Sequence, residues 1–504
     1  MTAHGVDVHG DLFGAARGRA LEDEVLDEVG EAAFGFTLVA GAAADEDADR
    51  HGVDLGQGFD EERQTILEDV SRNAHNRAAY RRDAAPPQAE ADVEGYDMNR
   101  MISVDEARAA VLGRVSLLAT ESVTLAAAWS RVLRAAAVSD RDLPPFHRAA
   151  MDGFAVRSAD AMEPGARLRV TGEVRAGEWP DRAVVTGEAV RIMTGAPVPE
   201  GADAVIQVER TTTAASDVFI ETAVTQGQNI VPRGSEARVG AILLNEGVRI
   251  SAAHLAVLAS VGVAEPVVSR RPRVAVIVTG DEVVDPSARP SAAQIRNANG
   301  PALLAAIHET GGAGTDFGIV SDDPAKTRAA IERALDERYD AIVLSGGVSA
   351  GDFDFVEGAL GELGFTLHVT AVRVKPGAPF VFGTRGDTLV FGLPGNPVSA
   401  QVTFELFARP ALLKMQGAIA LDRPLLEAEL DGALSNRSNR RNYLPVRVTR
   451  AADGLHAQPI RTQGSGDTFA HSLAHALAVL EPERTNAAAG ERVTLYPLSF
   501  FLEV

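Results

Sequence analysis

The chain has 504 residues, 46% of them hydrophobic, with a formal charge of −22 and no cysteine. Its length and apolar content can supply several cores, and the missing cysteines exclude disulfides, thiolate nucleophiles and Cys-based zinc or iron–sulfur sites while fitting a cytoplasmic location. No basic stripe or aromatic series offers a nucleic-acid footprint, and the apolar run Phe34 to Ala44 is too short, and follows acids rather than basic residues, to read as a membrane span or signal peptide.

Residues 1–98 carry 23 acids against 8 arginines, so most of the net charge sits there. Clustered acids, Pro86-Pro87 and no sustained periodicity predict a disordered extension; translation starting near Met98 or Met101, or an acidic docking arm, are the other readings. In "MISVDEARAAVL", Ser103 and Glu106 have capping-box spacing, and a helical pattern runs from 103 to 137. From about 165 to 250 come short β-prone runs such as "RLRVTGEV" and "DAVIQVE", broken by Gly and Pro turns. At 273 strands and helices begin to alternate ("VAVIV", "GPALLAAIHETG", "TDFGIV", "DPAKTRAAIERAL", "YDAIVLSG"), which predicts a mostly parallel sheet with helices on both faces. After Pro424, "NYLPVRV" and "ERVTLYPL" predict a small C-terminal β domain.

In open parallel sheets, ligands bind beyond the carboxyl ends of the strands, and three loops with polar content fall there. They are "TGDE" at 279–282, "SGGVSAGDFD" at 345–354 and "GLPGNPVSA" at 392–400. Gly346, Gly347 and Gly351 can turn successive N–H groups toward an anion, with Ser345 and Ser349 adding hydroxyls. Carboxylates beside such a nest call for a cation, so Asp352 and Asp354, with Glu282 and Asp281, suggest Mg²⁺; a helix cap is the competing role for Asp352. Lys375 in "RVKPGAP", one of only three lysines, sits at a loop mouth where it can meet a dianion or simply be solvated. In "LPGNP", Pro394 and Pro397 stiffen a loop whose Gly395, Asn396 and Ser399 face a ligand or form a purely structural turn.

"FHRAAMDGFAV" and "RIMTGAPVP" place Asp152 and Thr194 on tight Gly-containing turns, alone a weak signal. There is no Gly-x-Gly-x-x-Gly fingerprint and no P-loop, and the eleven histidines lack metal spacing.

Six motifs in order, "PPFHRAAMDGFAV", "RIMTGAPVPEGADAVIQVE", "VTGDEV", "LSGGVSAGDFDF", "VKPGAP" and "GLPGNPVSA", resemble the molybdopterin molybdotransferase family, whose bacterial members and gephyrin E domain insert molybdenum into the pterin cofactor. The resemblance runs from about 101 to 504. It implies a multidomain α/β and β protein: an N-terminal helical/β domain of 101–145 plus 235–270, an inserted β-rich domain of 146–234, a parallel-sheet α/β/α pterin-binding domain of 271–417 and a C-terminal β-barrel of 418–504. It implies a homodimer, with the inserted domain of one protomer facing the pterin-binding domain of the other. It further implies adenylylated molybdopterin and molybdate as substrates with Mg²⁺, release of AMP, and hand-over contacts with the upstream adenylyltransferase and with molybdoenzymes. Carried over by position, the catalytic residues are Asp152, Thr194, Glu282, Asp354 and Lys375, with Asp152, Glu282 and Asp354 as metal ligands. The pterin-binding loops give Thr279, Gly280, Ser345, Gly346, Gly347, Ser349, Gly351, Pro394, Gly395, Asn396, Pro397 and Ser399.

The chain departs from the family where Ala371 and Ala378 stand at positions commonly lysine, and where Ala149 and Phe154 stand in place of the Ser and Tyr that flank the family's Ala-Met-Asp-Gly core, here Ala150 to Gly153, with the loss of two hydroxyls. Strand alternation puts Arg373 on one face with Ala371 and Lys375, so Arg373 is expected to supply part of the lost charge. The rival functions are the adenylyltransferase one step earlier and a pterin-binding scaffold without turnover.

Overall fold

The computed structural model describes residues 101–347 and 356–498. The acidic extension, Ser349, Gly351, Asp352 and Asp354 lie outside the described residues.

Ser103 caps the first helix, Val104–Leu112, with both halves of the capping box formed: its Oγ accepts from Glu106 N, and Glu106 Oε2 accepts from Ser103 N. The helix expected to reach 137 ends at Leu112, and only the four-residue helix Leu125–Ala128 follows in that stretch. Beyond Leu112, Thr120–Ser122 pairs antiparallel with Val267–Ser269, and Ala137–Val138 pairs with Ile242–Leu244. Partners more than a hundred residues away recruit this stretch into sheet, which outweighs its local helical pattern.

The β-rich region forms a six-stranded sheet in the order Ala204–Gln207, Gly153–Val156, Glu188–Ile192, Arg167–Val174, Asp217–Ile220, Thr211–Ala214. Gly153, next to Asp152, is required there. A Cβ on it would lie 1.8 Å from the Ile206 carbonyl oxygen of the neighbouring strand.

The region that begins at 273 has the expected alternation, with one correction to its sheet. Four strands run parallel (Ala313–Val320, Arg273–Thr279, Ala341–Ser345, Thr388–Leu393), but Pro379–Arg385 and Thr366–Ala371 extend it antiparallel, so the sheet is mixed. The two added strands and their neighbour are joined by short connections, which reverse the chain instead of crossing over the sheet. Alternate residues of one strand enter different cores. Val274 and Val276 join Leu303, Ile307 and Phe380, whereas Ala275 and Ile277 join Ile331, Val356 and Leu360. Helices therefore cover both faces. Phe380 stacks on Phe407 with ring centroids 4.3 Å apart, a contact that adds about 0.5–1.5 kcal/mol beyond the area it buries.

The C-terminal segments close into a five-stranded barrel of Leu426–Leu430, Arg441–Ala451, Gly454–Pro459, Ala476–Leu480 and Arg492–Pro497. Closure leaves no open edge, because the long strand Arg441–Ala451 pairs with both Gly454–Pro459 and Ala476–Leu480. A two-residue strand, Val374–Lys375, pairs with Arg441–Asn442 and fastens the barrel to the mixed sheet. Among the described residues no helix is long and apolar enough to cross a membrane.

Candidate active site

Register decides where the site forms. Val278 pairs with Ser345, and Ser345 with Leu393, so three parallel strands stop at one level and release their loops side by side. These loops, with the segment Lys375–Pro379, surround a cleft of about 600 Å³. Thr279, Gly280, Glu282, Ser345, Gly346, Gly347, Lys375, Pro394, Gly395, Asn396, Pro397 and Ser399 all line it.

Gly346 (φ 104°) and Gly347 (φ 66°) adopt consecutive left-handed conformations, a backbone shape that glycine takes without strain. Gly346 also has no space for a side chain, since a Cβ would lie 2.6 Å from both the carbonyl oxygen and the hydroxyl of Thr279. That Thr279 hydroxyl is buried and has no partner among the described residues. Gly346 N donates to Leu393 O at 3.1 Å, and Asn299 Nδ2 donates to Ser345 Oγ and to Gly395 O, each at 2.7 Å. From the barrel, Ser465 closes over the third loop: it accepts from Asn396 Nδ2 at 3.0 Å, and its carbonyl accepts from Val398 N at 3.0 Å.

Charge is divided along the cleft. Glu282 and Asp322 belong to its lining, as do Lys375, Arg296 and Arg440. The loops of the two acids are pinned together by Asp281 and Asp322, each accepting the other's backbone N–H. Asp281 is thereby a loop brace, and Asp322 takes the lining position beside Glu282. Among the described residues no group of three or more His, Cys, Asp and Glu side chains is gathered for a metal ion. Two carboxylates and no softer ligand are nonetheless the donor set suited to Mg²⁺, which keeps waters and substrate phosphates as its other ligands.

Asp152 and Thr194 do not enter this cleft. They meet each other beside the six-stranded sheet that contains Gly153–Val156 and Glu188–Ile192, where Thr194 N and Oγ1 both donate to Asp152 Oδ1. The Thr194 hydroxyl, then its amide, hold the Asp152 carboxyl below the usual carboxylate range.

Arg373 departs from its expected place. The strand ends at Ala371 and bends at Arg373, so simple alternation fails. Arg373 is exposed, donates its amide to Ile102 O, and is not part of the cleft lining. Ala371 and Ala378 form a small buried cluster with Met101. Sequence reasoning also passed over Asp322, Arg440 and Ser465. Asp322 is hidden in "SDDP", where Asp323 is the visible helix cap, and the other two lie on barrel loops far along the chain.

The order of domains and motifs is shared with known proteins. Residues 102–262 match the MoeA N-terminal region (domain I and II), 275–414 a probable molybdopterin binding domain, and 427–498 the MoeA C-terminal region (domain IV). The molybdopterin molybdenumtransferase of Haemophilus influenzae is 32% identical over 414 residues, which is 80% of this chain and all of that protein. This chain belongs to the molybdopterin molybdenumtransferase family. A member from Nostoc is 33% identical over 75% of this chain and 89% of its own length. Two crystal structures of the MoeA molybdopterin biosynthesis protein of Pyrococcus horikoshii superpose with TM-scores of 0.65 and 0.68, at 33% and 28% identity, each over 79% of this chain and 99% or more of the other. The family's mixed sheets and closed five-stranded barrel are the architecture described above.

Proposed function

We propose that this protein inserts molybdate into adenylylated molybdopterin, releasing AMP, in the last step of molybdenum cofactor assembly. The observation that carries the reading is the composition of one cleft: the left-handed glycine pair Gly346–Gly347, two carboxylates at Glu282 and Asp322, and the cations Lys375 and Arg440. A phosphorylated pterin and an oxyanion are both negative, and such a site offers N–H donors and cations to each. In this reading the glycine loops hold the pterin phosphate, while Lys375, Arg440 and Ser465 receive molybdate. Glu282 and Asp322 would hold Mg²⁺, as would Asp354, which lies outside the described residues. The bound ion would offset phosphoanhydride charge and polarise the bond to AMP.

Asp152 and Thr194 act, in the same reading, from the second protomer of a homodimer. The cleft draws no residue from their own sheet domain among the described residues, which supports a donor in trans. Of the domain limits at 101–145 with 235–270, 146–234, 271–417 and 418–504, the joining of the first two segments is supported by the strand pairing of 120–122 with 267–269 and of 137–138 with 242–244. The enzyme would work in the cytoplasm, receiving substrate from an adenylyltransferase and passing product to molybdoenzymes.

The test mixes purified protein with adenylylated molybdopterin, Mg²⁺ and molybdate, and follows AMP release with activation of an apo-oxidoreductase. Molybdate-dependent signals in both, weakened in Glu282→Gln at limiting Mg²⁺, support the transferase. Tight pterin binding without AMP release would replace it with a binding protein.

A further inference from the structure

The loops Ser345–Gly347 and Leu393–Asn396 leave neighbouring strands, and beside the direct bond from Gly346 N to Leu393 O a buried side-chain amide bridges them. Asn299, the first residue of the helix Asn299–Glu309, gives one Nδ2 hydrogen to Ser345 Oγ and the other to Gly395 O. The Gly395 carbonyl can only accept, so the amide nitrogen must face it and the orientation of the side chain is fixed. Ser345 is 1% exposed and Asn299 8%, and Ser345 Oγ passes its own hydrogen to Pro394 O at 3.3 Å. The bonds close a ring through both loops. Burying an amide is costly unless its hydrogens are used, and a leucine of similar size would fill the space without that cost. The hydrogens are spent on loops, and these are the loops whose glycines line the cleft.

We infer that Asn299 is a positioning residue: by fixing Ser345 against Gly395 it sets the spacing of the two glycine loops and with it the cleft's affinity for a phosphate group. The inference rests on the proposed binding of a phosphorylated pterin in this cleft. Asn299 itself belongs to the cleft lining, but both its Nδ2 hydrogens are committed to Ser345 and Gly395, so it works through them and its removal loosens ligand binding more than it slows any bound step. Freed of the brace, the glycine loops lose conformational freedom when the anion arrives, and that entropy weakens binding.

The test uses the full chain and two probes, inorganic pyrophosphate and adenylylated molybdopterin, titrated calorimetrically into wild type, Asn299→Leu, Ser345→Ala and the double variant. Asn299→Leu is expected to weaken both probes about tenfold. Turnover should lose in KM, with kcat within about twofold. Ser345→Ala is expected to weaken binding about threefold, and the double variant to bind no worse than Asn299→Leu, because one residue acts through the other. An unchanged pyrophosphate Kd in a folded Asn299→Leu, or a fully additive loss in the double variant, would overturn the inference. Should Asn299→Leu not fold, Ser345→Ala carries the test, and an unchanged Kd there overturns it. Wild type that binds pyrophosphate but not adenylylated molybdopterin sinks the proposed function alone, leaving Asn299 to be judged on pyrophosphate. Wild type that binds neither overturns both.

Discussion

Thr194 gives both its amide and its hydroxyl hydrogen to one oxygen of Asp152, at 2.6 and 2.7 Å. Oδ1 is committed, and Oδ2 has no hydrogen bond to the described residues. The pair thus presents a fixed carboxylate with one oxygen for a ligand, ionised to lower pH than an ordinary aspartate.

Replacing Thr194 by Val removes the hydroxyl bond and keeps the amide. Because the Asp152 carboxyl is held down in the folded protein, its charge persists as pH falls until that lowered value is reached. In the variant the charge is lost sooner, so the acid limb of the pH–rate profile should move to higher pH. Turnover at neutral pH should fall about threefold to tenfold through lost orientation. An acid limb that stays in place would detach Asp152 from the reaction.

Arg440 and Arg373 make a contrasting pair. Arg440 lines the cleft, while its neighbour Arg441 is clamped by Asp105 and Glu481. Arg440→Ala is expected to raise the apparent KM for molybdate on the order of tenfold or more. Arg373→Ala, outside the cleft, should leave it unchanged. Steady-state titration of molybdate at saturating pterin distinguishes them, and the reverse pattern would relocate the oxyanion.

Glu282 and Asp322 are expected to share the Mg²⁺ requirement. Glu282→Gln or Asp322→Asn should raise the Mg²⁺ concentration for half-maximal AMP release by about tenfold, and chelation should stop release in every form. Full activity of the wild type in excess chelator would remove the metal from the mechanism.

The barrel has its own pH dependence. His456 lies 3.0 Å from Asp431 and from Asp453, and these carboxylates, Asp431 first, raise its pKa above 6.5. Its contribution to stability is complete below 6.5 and is lost as pH rises through the raised folded value. His456→Gln should therefore lower Tm at pH 5.5 and change it little at pH 9, measured by thermal unfolding of both forms at each pH. Equal shifts at the two pH values would mean that packing, not charge, is what His456 supplies.

Much of the fold is written locally. Ser103 and Glu106 announce a helix start because both partners of the capping box lie within one turn, and the alternation from 273 announces layered sheet and helix because each element carries its own periodicity. The loops at 279, 345 and 393 are likewise visible, since glycines and prolines impose backbone shapes where they stand. Tertiary structure decided what these loops share. The common level of Thr279, Ser345 and Leu393 comes from strand register, which no single segment encodes. Asp322, Arg440 and Ser465 reach the cleft because a barrel docks through Val374–Lys375 and a fourth loop is pinned by Asp281, contacts between parts distant in sequence. Arg373 is lost to the cleft for the same reason: the strand on which the alternation depended bends there, and the Arg373 amide bonds to Ile102 O, far back in the chain. Local propensity chose most of the elements and the residue types of the loops, whereas long-range packing drew 120–122 and 137–138 into sheet and chose which side chains stand together around the cleft.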